Sequence, residues 1–353
     1  LPPPSRRERA TLLALTTVGM SVMASGCATG LGARTFEPRV CGAGLDGSFV
    51  QLSTRELGFD PGAWRTEMAM LRSAGVRTVV AQFTGDERGP FDRQRPQDTP
   101  VRRLIDSAAE AGMRVWLGLH ADPRWPHGLD RGGPLPPPLD DPALADELAR
   151  LCLDSPSCEG FYLSPELDDH RGLDSNRGVA AFVARTSLAL RVRAPEKRIS
   201  LAPFFTGKLS PEEHAAFWQP VLRESAIDVF MLQDGVGTGR ATPKTARLYL
   251  EALRRVIPAR ESRRGPIELW SVIELFRQLS GPPLDARDFA AEPASFDVIA
   301  RSLVEEGAVA DRLIAFSVPD YMDPRRGAGA ARLYDDYRRW CDDRAVASRK
   351  DRP

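Results

Sequence analysis

Short apolar runs alternate with amphipathic stretches along most of the chain. Strand-like runs of five to seven residues fall at 48–52, 77–82, 114–119, 160–164, 199–204, 227–233, 267–273 and 313–318. Amphipathic helical stretches lie near 61–74, 101–111, 142–153, 177–193, 211–224, 242–256, 295–306 and 329–342. Strand then helix, eight times over, is the order of a parallel sheet with crossover helices. Eight such units predict a single (β/α)8 TIM barrel, with a doubly wound open sheet as the alternative.

The junctions sharpen this reading. Leu71-Arg72-Ser73-Ala74-Gly75-Val76-Arg77 and Ala108-Ala109-Glu110-Ala111-Gly112-Met113-Arg114 echo each other: a helix ends on a glycine suited to the left-handed C′ position and a strand begins at once. The connectors that follow strands are much longer, at 83–100, 120–141, 165–176 and 275–294. Long loops confined to the strand-end face mark that face as the functional one. The proline-rich stretch Gly133–Pro138 falls inside one strand-to-helix loop, so it reads as a stiff loop and not as a domain linker. One domain is expected over 41–343, with 27–40 as a tether and 344–353 as a frayed tail.

Composition narrows the function. A 42% hydrophobic content supplies a packed core, and 27% charged residues with a formal net charge of +0 leave no electrostatic footprint for nucleic acid. The N-terminal segment reads as processing signal: Ser5-Arg6-Arg7-Glu8-Arg9 is a positive region, and 10–23 is an apolar run too short to span a bilayer comfortably. It ends in Ala24-Ser25-Gly26-Cys27, which resembles the lipobox of bacterial lipoproteins. That resemblance implies removal of residues 1–26, acylation of Cys27 and a membrane anchor in the cell envelope, at the outer membrane. Export would leave four cysteines in an oxidising compartment, with three possible pairings. Cys152 and Cys158 flank a short turn, and Cys41 and Cys341 lie near the two ends of the folded region, so bridges 152–158 and 41–341 are expected.

The candidate chemistry lies at strand ends. Gly160–Ser164 and Pro165 run into Glu166 after the fourth strand, and Ile267–Ile273 runs into Glu274 after the seventh. Two carboxylates across a barrel mouth are the working parts of a glycosidase. Tyr162, Ser164 and Glu166 share strand parity, which aims Glu166 into the mouth. The competing reading of Ser164-Pro165-Glu166 is a capped helix start. Trp270, Val272 and Phe276 surround Glu274 with apolar groups that raise a carboxyl pKa. Gln82, His120, Gln233 and Asp234 end the second, third and sixth strands with groups suited to sugar hydroxyls, and Tyr162 joins them. Trp125, in the loop after the third strand, and Tyr321, beyond the eighth, are candidates to stack on a pyranose ring or to anchor their loops. Asp168-Asp169-His170 has no familiar metal spacing, and no metal or cofactor is expected. Gly42–Gly47 spells a dinucleotide fingerprint but precedes a strand instead of following one, so it reads as a turn. Gly235-Val236-Gly237-Thr238-Gly239 does follow a strand, and its amides could form an anion nest, yet it lacks a phosphate-loop ending.

Several blocks together resemble an uncharacterised bacterial family of glycoside-hydrolase-like barrels, a domain of unknown function. They are Gly47-Ser48-Phe49-Val50-Gln51, the segment 74–82, the segment 112–119, Gly160–Glu166, Leu201-Ala202-Pro203-Phe204-Phe205 and Met231-Leu232-Gln233-Asp234-Gly235-Val236-Gly237. The resemblance implies a barrel and a carbohydrate substrate. A broader likeness is to retaining glycosidases with the acid/base at the fourth strand end and the nucleophile at the seventh. It implies that Glu166 is the acid/base and Glu274 the nucleophile of an exported hydrolase of poly- or oligosaccharides. Those enzymes usually carry Asn before the first glutamate, where this chain has Pro165. The rival expectation is a non-catalytic glycan-binding barrel, an accessory to polysaccharide export or modification.

Overall fold

All eight apolar runs form strands close to where the pattern places them. The computed structural model describes residues 41, 44–120, 142–169, 175–204, 206–259, 265–279 and 289–350 of the chain. The strands are β1 (Gly47–Val50), β2 (Thr78–Ala81), β3 (Arg114–Gly118), β4 (Cys158–Leu163), β5 (Arg198–Leu201), β6 (Val229–Gln233), β7 (Glu268–Glu274) and β8 (Arg312–Phe316). All neighbours pair in parallel, and β1 pairs with both β2 and β8, Gly47 lying opposite Ile314. That last ladder closes the sheet into a barrel and excludes the open alternative.

Each strand is followed by a helix: α1 (Pro61–Ser73), α2 (Pro100–Glu110), α3 (Pro142–Leu153), α4 (Asn176–Arg193), α5 (Pro211–Glu224), α6 (Pro243–Val256), α7 (Phe296–Gly307) and α8 (Ala328–Lys350). Their starts follow from local chemistry. Asp60, Ser210 and Thr242 accept hydrogen bonds from the backbone of the first turn, each just before a proline. An N-cap oxygen satisfies an otherwise orphaned N–H, and proline at N1 has none to lose. At the other end Gly75 and Gly112 take positive φ, 86° and 66°, as the junction pattern predicts. Helix α8 continues to Lys350, so residues 344–350 of the expected tail are helical; 351–353 lie outside the described residues.

Alternation along the strands divides the core in two. Phe49, Val80, Trp116, Tyr162, Val229, Met231, Trp270, Val272 and Ile314 point into the barrel and fill it. Trp116 meets Trp270 edge to face at 5.8 Å, and Phe49 meets Tyr162 at 5.2 Å. The opposite parity, including Val79, Leu117, Phe161, Leu201, Phe230, Leu232, Leu269 and Ile273, packs under the helices. Burying each such large side chain contributes about 1.5–3 kcal/mol. The barrel interior is thus solid, and no ligand can thread it. Gly160 shows how tight the wall is, because a Cβ there would lie 2.0 Å from the Arg198 carbonyl oxygen.

Two strand-to-helix loops carry small hairpins above the mouth: Gly85–Asp86 with Gly89–Pro90 after β2, and Phe276–Gln278 with Ala291–Pro293 after β7. Both expected disulfides are present. Cys41–Cys341 ties the segment before β1 to α8, and Cys152–Cys158 closes the turn from α3 into β4.

Candidate active site

The strand ends bring polar groups to one face in the order of the barrel. The segment carrying Glu166 is pinned on both sides. Before it, buried Ser164 donates its hydroxyl to the carbonyls of Gln82 at 2.6 Å and Leu119 at 3.3 Å, tying β4 to β2 and β3. After it, Asp169 accepts from the Thr206 N–H at 2.8 Å, the Thr206 hydroxyl at 2.7 Å and Nδ1 of His214 at 2.8 Å. The Asp169 and His214 side chains are both wholly buried. This answers two sequence questions. Ser164 and Pro165 do not cap a helix, because α4 begins only at Asn176. Asp169 is a buried clamp bonded by Thr206 and His214; His170 lies outside the described residues. Glu166 itself stays half-buried at the rim, with its carboxylate bonded by the Gln233 side chain.

Glu274 is the last residue of β7 and is 3% exposed. Its Oε2 accepts the Thr238 N–H at 2.9 Å, and the Gly237 N–H adds a second donor. The glycine loop after β6 makes this possible. A Cβ on Gly237 would lie 2.8 Å from the Glu274 Cβ and 2.5 Å from the Phe276 carbonyl oxygen. Gly235 and Gly239 turn the loop at φ of 63° and 74°, where side chains are strained. The amide nest suggested by the sequence therefore serves a carboxylate of the protein itself.

Electrostatics set the two glutamates apart. Burial raises Glu166, the charge of Asp168 adds to that, and the Gln233 amide opposes it. Burial, then the charge of Asp234, pushes Glu274 well above the ordinary carboxylate range, against the Thr238 and Gly237 amides; the charge of Glu166 adds to the push. Like carboxylates this near each other give up protons as a group, not one by one. Among the described residues neither glutamate is held in an ion pair.

The remaining candidates divide into rim and support. Gln233 belongs to the rim and also donates Nε2 to the Ala202 carbonyl at 3.1 Å. Gln82 is 5% exposed, with Oε1 accepting from Nε2 of Gln51 at 2.6 Å. His120 is half-buried against Gly85, where a Cβ would come within 2.5 Å of the imidazole. Tyr321 packs on Phe276 at 5.2 Å, and burial, Asp320 and Glu274 all raise its phenol. Trp125 lies outside the described residues.

Two expected sugar contacts need correcting. Tyr162 is 1% exposed and belongs to the filled interior. Its parity is right, but it lies a level too deep, closed over by Phe49, so it forms the floor near Glu166. Asp234 is also 1% exposed, because it follows Gln233 with the opposite parity and turns behind the mouth. Its Oδ1 accepts the N–H of Val236 at 3.0 Å and of Glu274 at 3.4 Å, so it orients the nest and the end of β7. Burial raises its carboxyl to about 7.

Sequence reasoning missed three contributors. Gln51 shares inward parity with Phe49 at the end of β1 and was findable by that signal. Glu306 falls on the buried stripe of α7 with Ile299, Ser302 and Leu303, where an acid is out of place. His214 on α5 reaches Asp169 on the loop after β4, and no local pattern announces that pair.

Residues 45–327 match the family model described as Domain of unknown function (DUF4434). The chain belongs to the DUF4434 family. No curated protein matches it by sequence. Among solved structures, this DUF4434 chain resembles a Bacteroides thetaiotaomicron protein assigned as an alpha-L-fucosidase, at 18% identity and a TM-score of 0.66, covering 90% of this chain and 99% of that one. It also resembles the catalytic domain of the Thermobifida fusca endoglucanase Cel5A, at 14% identity and a TM-score of 0.51, covering 83% and 91% of the two chains. A third similar structure is the endo-1,4-beta-mannanase of Rhizomucor miehei, at 13% identity and a TM-score of 0.50, covering 85% and 95%. At these identities the likeness establishes a glycoside-hydrolase-like barrel fold, and function must be argued from the site.

Proposed function

We propose that this DUF4434 protein is an exported glycoside hydrolase of poly- or oligosaccharides that works by a retaining, two-step route. What supports the reading is that Glu166 follows β4 and Glu274 ends β7 on one face of the barrel, that the charge of Glu166 bears on the ionisation of Glu274, and that neither is locked to a cation among the described residues. In this route Glu166 protonates the leaving oxygen and Glu274 attacks the anomeric carbon, giving a covalent glycosyl intermediate. Glu166 then takes a proton from water, which displaces Glu274 and restores both groups. The roles follow from the surroundings. Glu274 is fixed by two backbone amides that favour an anion aimed along one line, as a nucleophile requires. Glu166 lies nearer solvent, where a proton can be exchanged between the steps. Gln82, Gln233 and His120 would hold the sugar, with Tyr321 beside Glu274.

The N-terminal segment extends the proposal: cleavage before Cys27 and its acylation would anchor the barrel to the membrane of the cell envelope. Cys27→Ser should release the protein from the membrane fraction, and unchanged fractionation would remove the anchor from the account. The hydrolase itself is tested by incubating wild type and Glu274→Gln with a panel of polysaccharides and aryl glycosides. Wild type should release reducing ends from at least one and the variant from none. Binding of a glycan with no release by wild type would overturn hydrolysis in favour of a glycan-binding barrel.

A further inference from the structure

Behind Glu274, in the layer between strand and helix, lies a carboxyl that no step of the proposed reaction uses. Helix α7 turns Ile299, Ser302, Leu303 and Glu306 inward, and Glu306 has no exposed surface. Its Oε2 accepts the hydroxyl of Ser271 at 2.5 Å. Ser271 lies between Trp270 and Val272 of the inner layer, so it faces outward from β7, three residues before Glu274. Ser302, one turn earlier on α7, lies close enough to act on the carboxyl, but its hydroxyl makes no hydrogen bond among the described residues. The other oxygen of Glu306, Oε1, has no hydrogen-bond partner among the described residues, and nor has Oδ2 of Asp234.

Three carboxyls, of Asp234, Glu274 and Glu306, thus share one water-poor region. The elements packed on α7 bring no cation to them among the described residues. On α6, Arg247 pairs with Glu251 and Glu305, and Arg254 pairs with Asp311. On β8, Arg312 reaches toward Glu268 at the far end of β7. Helix α8 meets the opposite end of α7, where Arg332, Asp336 and Arg339 line a surface groove with Phe296 and Asp297. Without a counter-charge, several buried anions would be costly, so protons must stay.

Hydrogen-bond donors decide where. Backbone N–H groups, which only donate, point at Glu274 from Thr238 and Gly237 and at Asp234 from Val236 and Glu274. Among the described residues Glu306 is hydrogen-bonded by the Ser271 hydroxyl and by no N–H, and a hydroxyl accepts from a carboxylic acid as readily as it donates to a carboxylate. We propose that Glu306 is a positioning residue of this site, held as a neutral acid behind β7 so that Glu274 can carry the negative charge at the mouth. The role rests on the reading of Glu274 as nucleophile. Burial, then the charges of Asp234 and Glu274, pushes Glu306 in the same direction.

The test is a pH titration of the full chain by NMR, with glutamate side-chain carboxyls labelled with carbon-13. The signals are assigned through Glu274→Gln and Glu306→Gln. Ser271→Ala, which removes the hydroxyl bonded to Glu306 and leaves the carboxyl in place, assigns the same signal should Glu306→Gln fail to fold. The Glu306 carboxyl should keep its proton through pH 7. In Glu306→Gln the Glu274 midpoint should stay within about half a unit of wild type, because a neutral amide replaces a neutral acid. A Glu306 signal that titrates in the ordinary carboxylate range overturns the proposal. So does a fall of about one unit or more in the Glu274 midpoint, since that would mean a charge had been removed. Neither result uses a sugar, so the outcome is separate from whether the protein hydrolyses one.

Discussion

Glu166 and Glu274 meet at one mouth from opposite kinds of surroundings. At β4 the glutamate lies three residues beyond the strand, half-buried, bonded by one side-chain amide on a loop clamped by Asp169, Thr206 and His214. At β7 it ends the strand itself, almost fully buried, gripped by backbone amides and backed by two more acids. The same residue type is thereby given two characters. One carboxyl can exchange protons with solvent; the other is rigid, shielded and dependent on the protonation of its neighbours. In the proposed route, position on the barrel selects the pair, and the contacts behind each carboxyl divide the work.

The largest expected effect breaks the β7 side. Glu274→Gln should lower turnover on any accepted glycan by about 10⁴-fold or more, measured as reducing ends released. A residual rate near wild type would show that Glu274 is not in the reaction. Glu166→Gln should cost about 10²–10⁴-fold on a sugar with a poor leaving group. The loss should be much smaller for the first step on an activated aryl glycoside, which needs no proton. Equal losses on both substrates would remove the distinction between the two glutamates.

Gly237→Ala probes the grip and not the carboxyl. The added methyl meets Glu274 and the Phe276 carbonyl at 2.8 and 2.5 Å, so the loop must retreat and Thr238 with it. Turnover should fall about 10²-fold, the cost of a misplacement near 1 Å, and the overpacked loop should lower stability by about 1–3 kcal/mol. Activity equal to wild type would mean that the nest does not align Glu274.

The smallest effects contrast the two sides by pH. Burial raises Asp169, but the His214 and Thr206 donors outweigh it, so its folded pKa lies below the ordinary 3.8. Stability from this clamp is present above that value and lost as pH falls through the folded pKa. Glu306 is the reverse, raised well above 4.5. Its folded form holds a proton that the unfolded chain has released, so stability is full below 4.5 and is lost as pH rises through the folded pKa. Asp169→Asn should therefore flatten the acid side of a melting-temperature profile, and Glu306→Gln the alkaline side. At neutral pH, Asp169→Asn should cost about 1–3 kcal/mol, the price of weakening a buried charged hydrogen bond. Profiles that shift without changing shape would show that neither carboxyl is perturbed.

The barrel was legible because its signals are periodic and local. Apolar runs, glycines at helix ends and prolines after capping residues each place an element without reference to anything distant. Glu166 and Glu274 were legible for the same reason, since a strand end fixes where a side chain arrives. Depth and partners were less so. Tyr162 has the parity of the mouth but lies beneath it, and only the ring of Phe49 from another strand shows that. Asp234 reads as a rim residue until its reversed parity is weighed. Gln82 and Gln51 find each other across two strands, and His214 reaches Asp169 from the next helix. Those contacts depend on how strand ends converge in space, which spacing along the chain does not encode.

The most direct test of a retaining pair is the anomer first released from a hydrolysed glycan, followed by proton NMR before mutarotation. Two displacements through Glu274 predict a product with the configuration of the substrate. An inverted first product would mean that water attacks directly, with Glu274 acting as a base, and would contradict the covalent route.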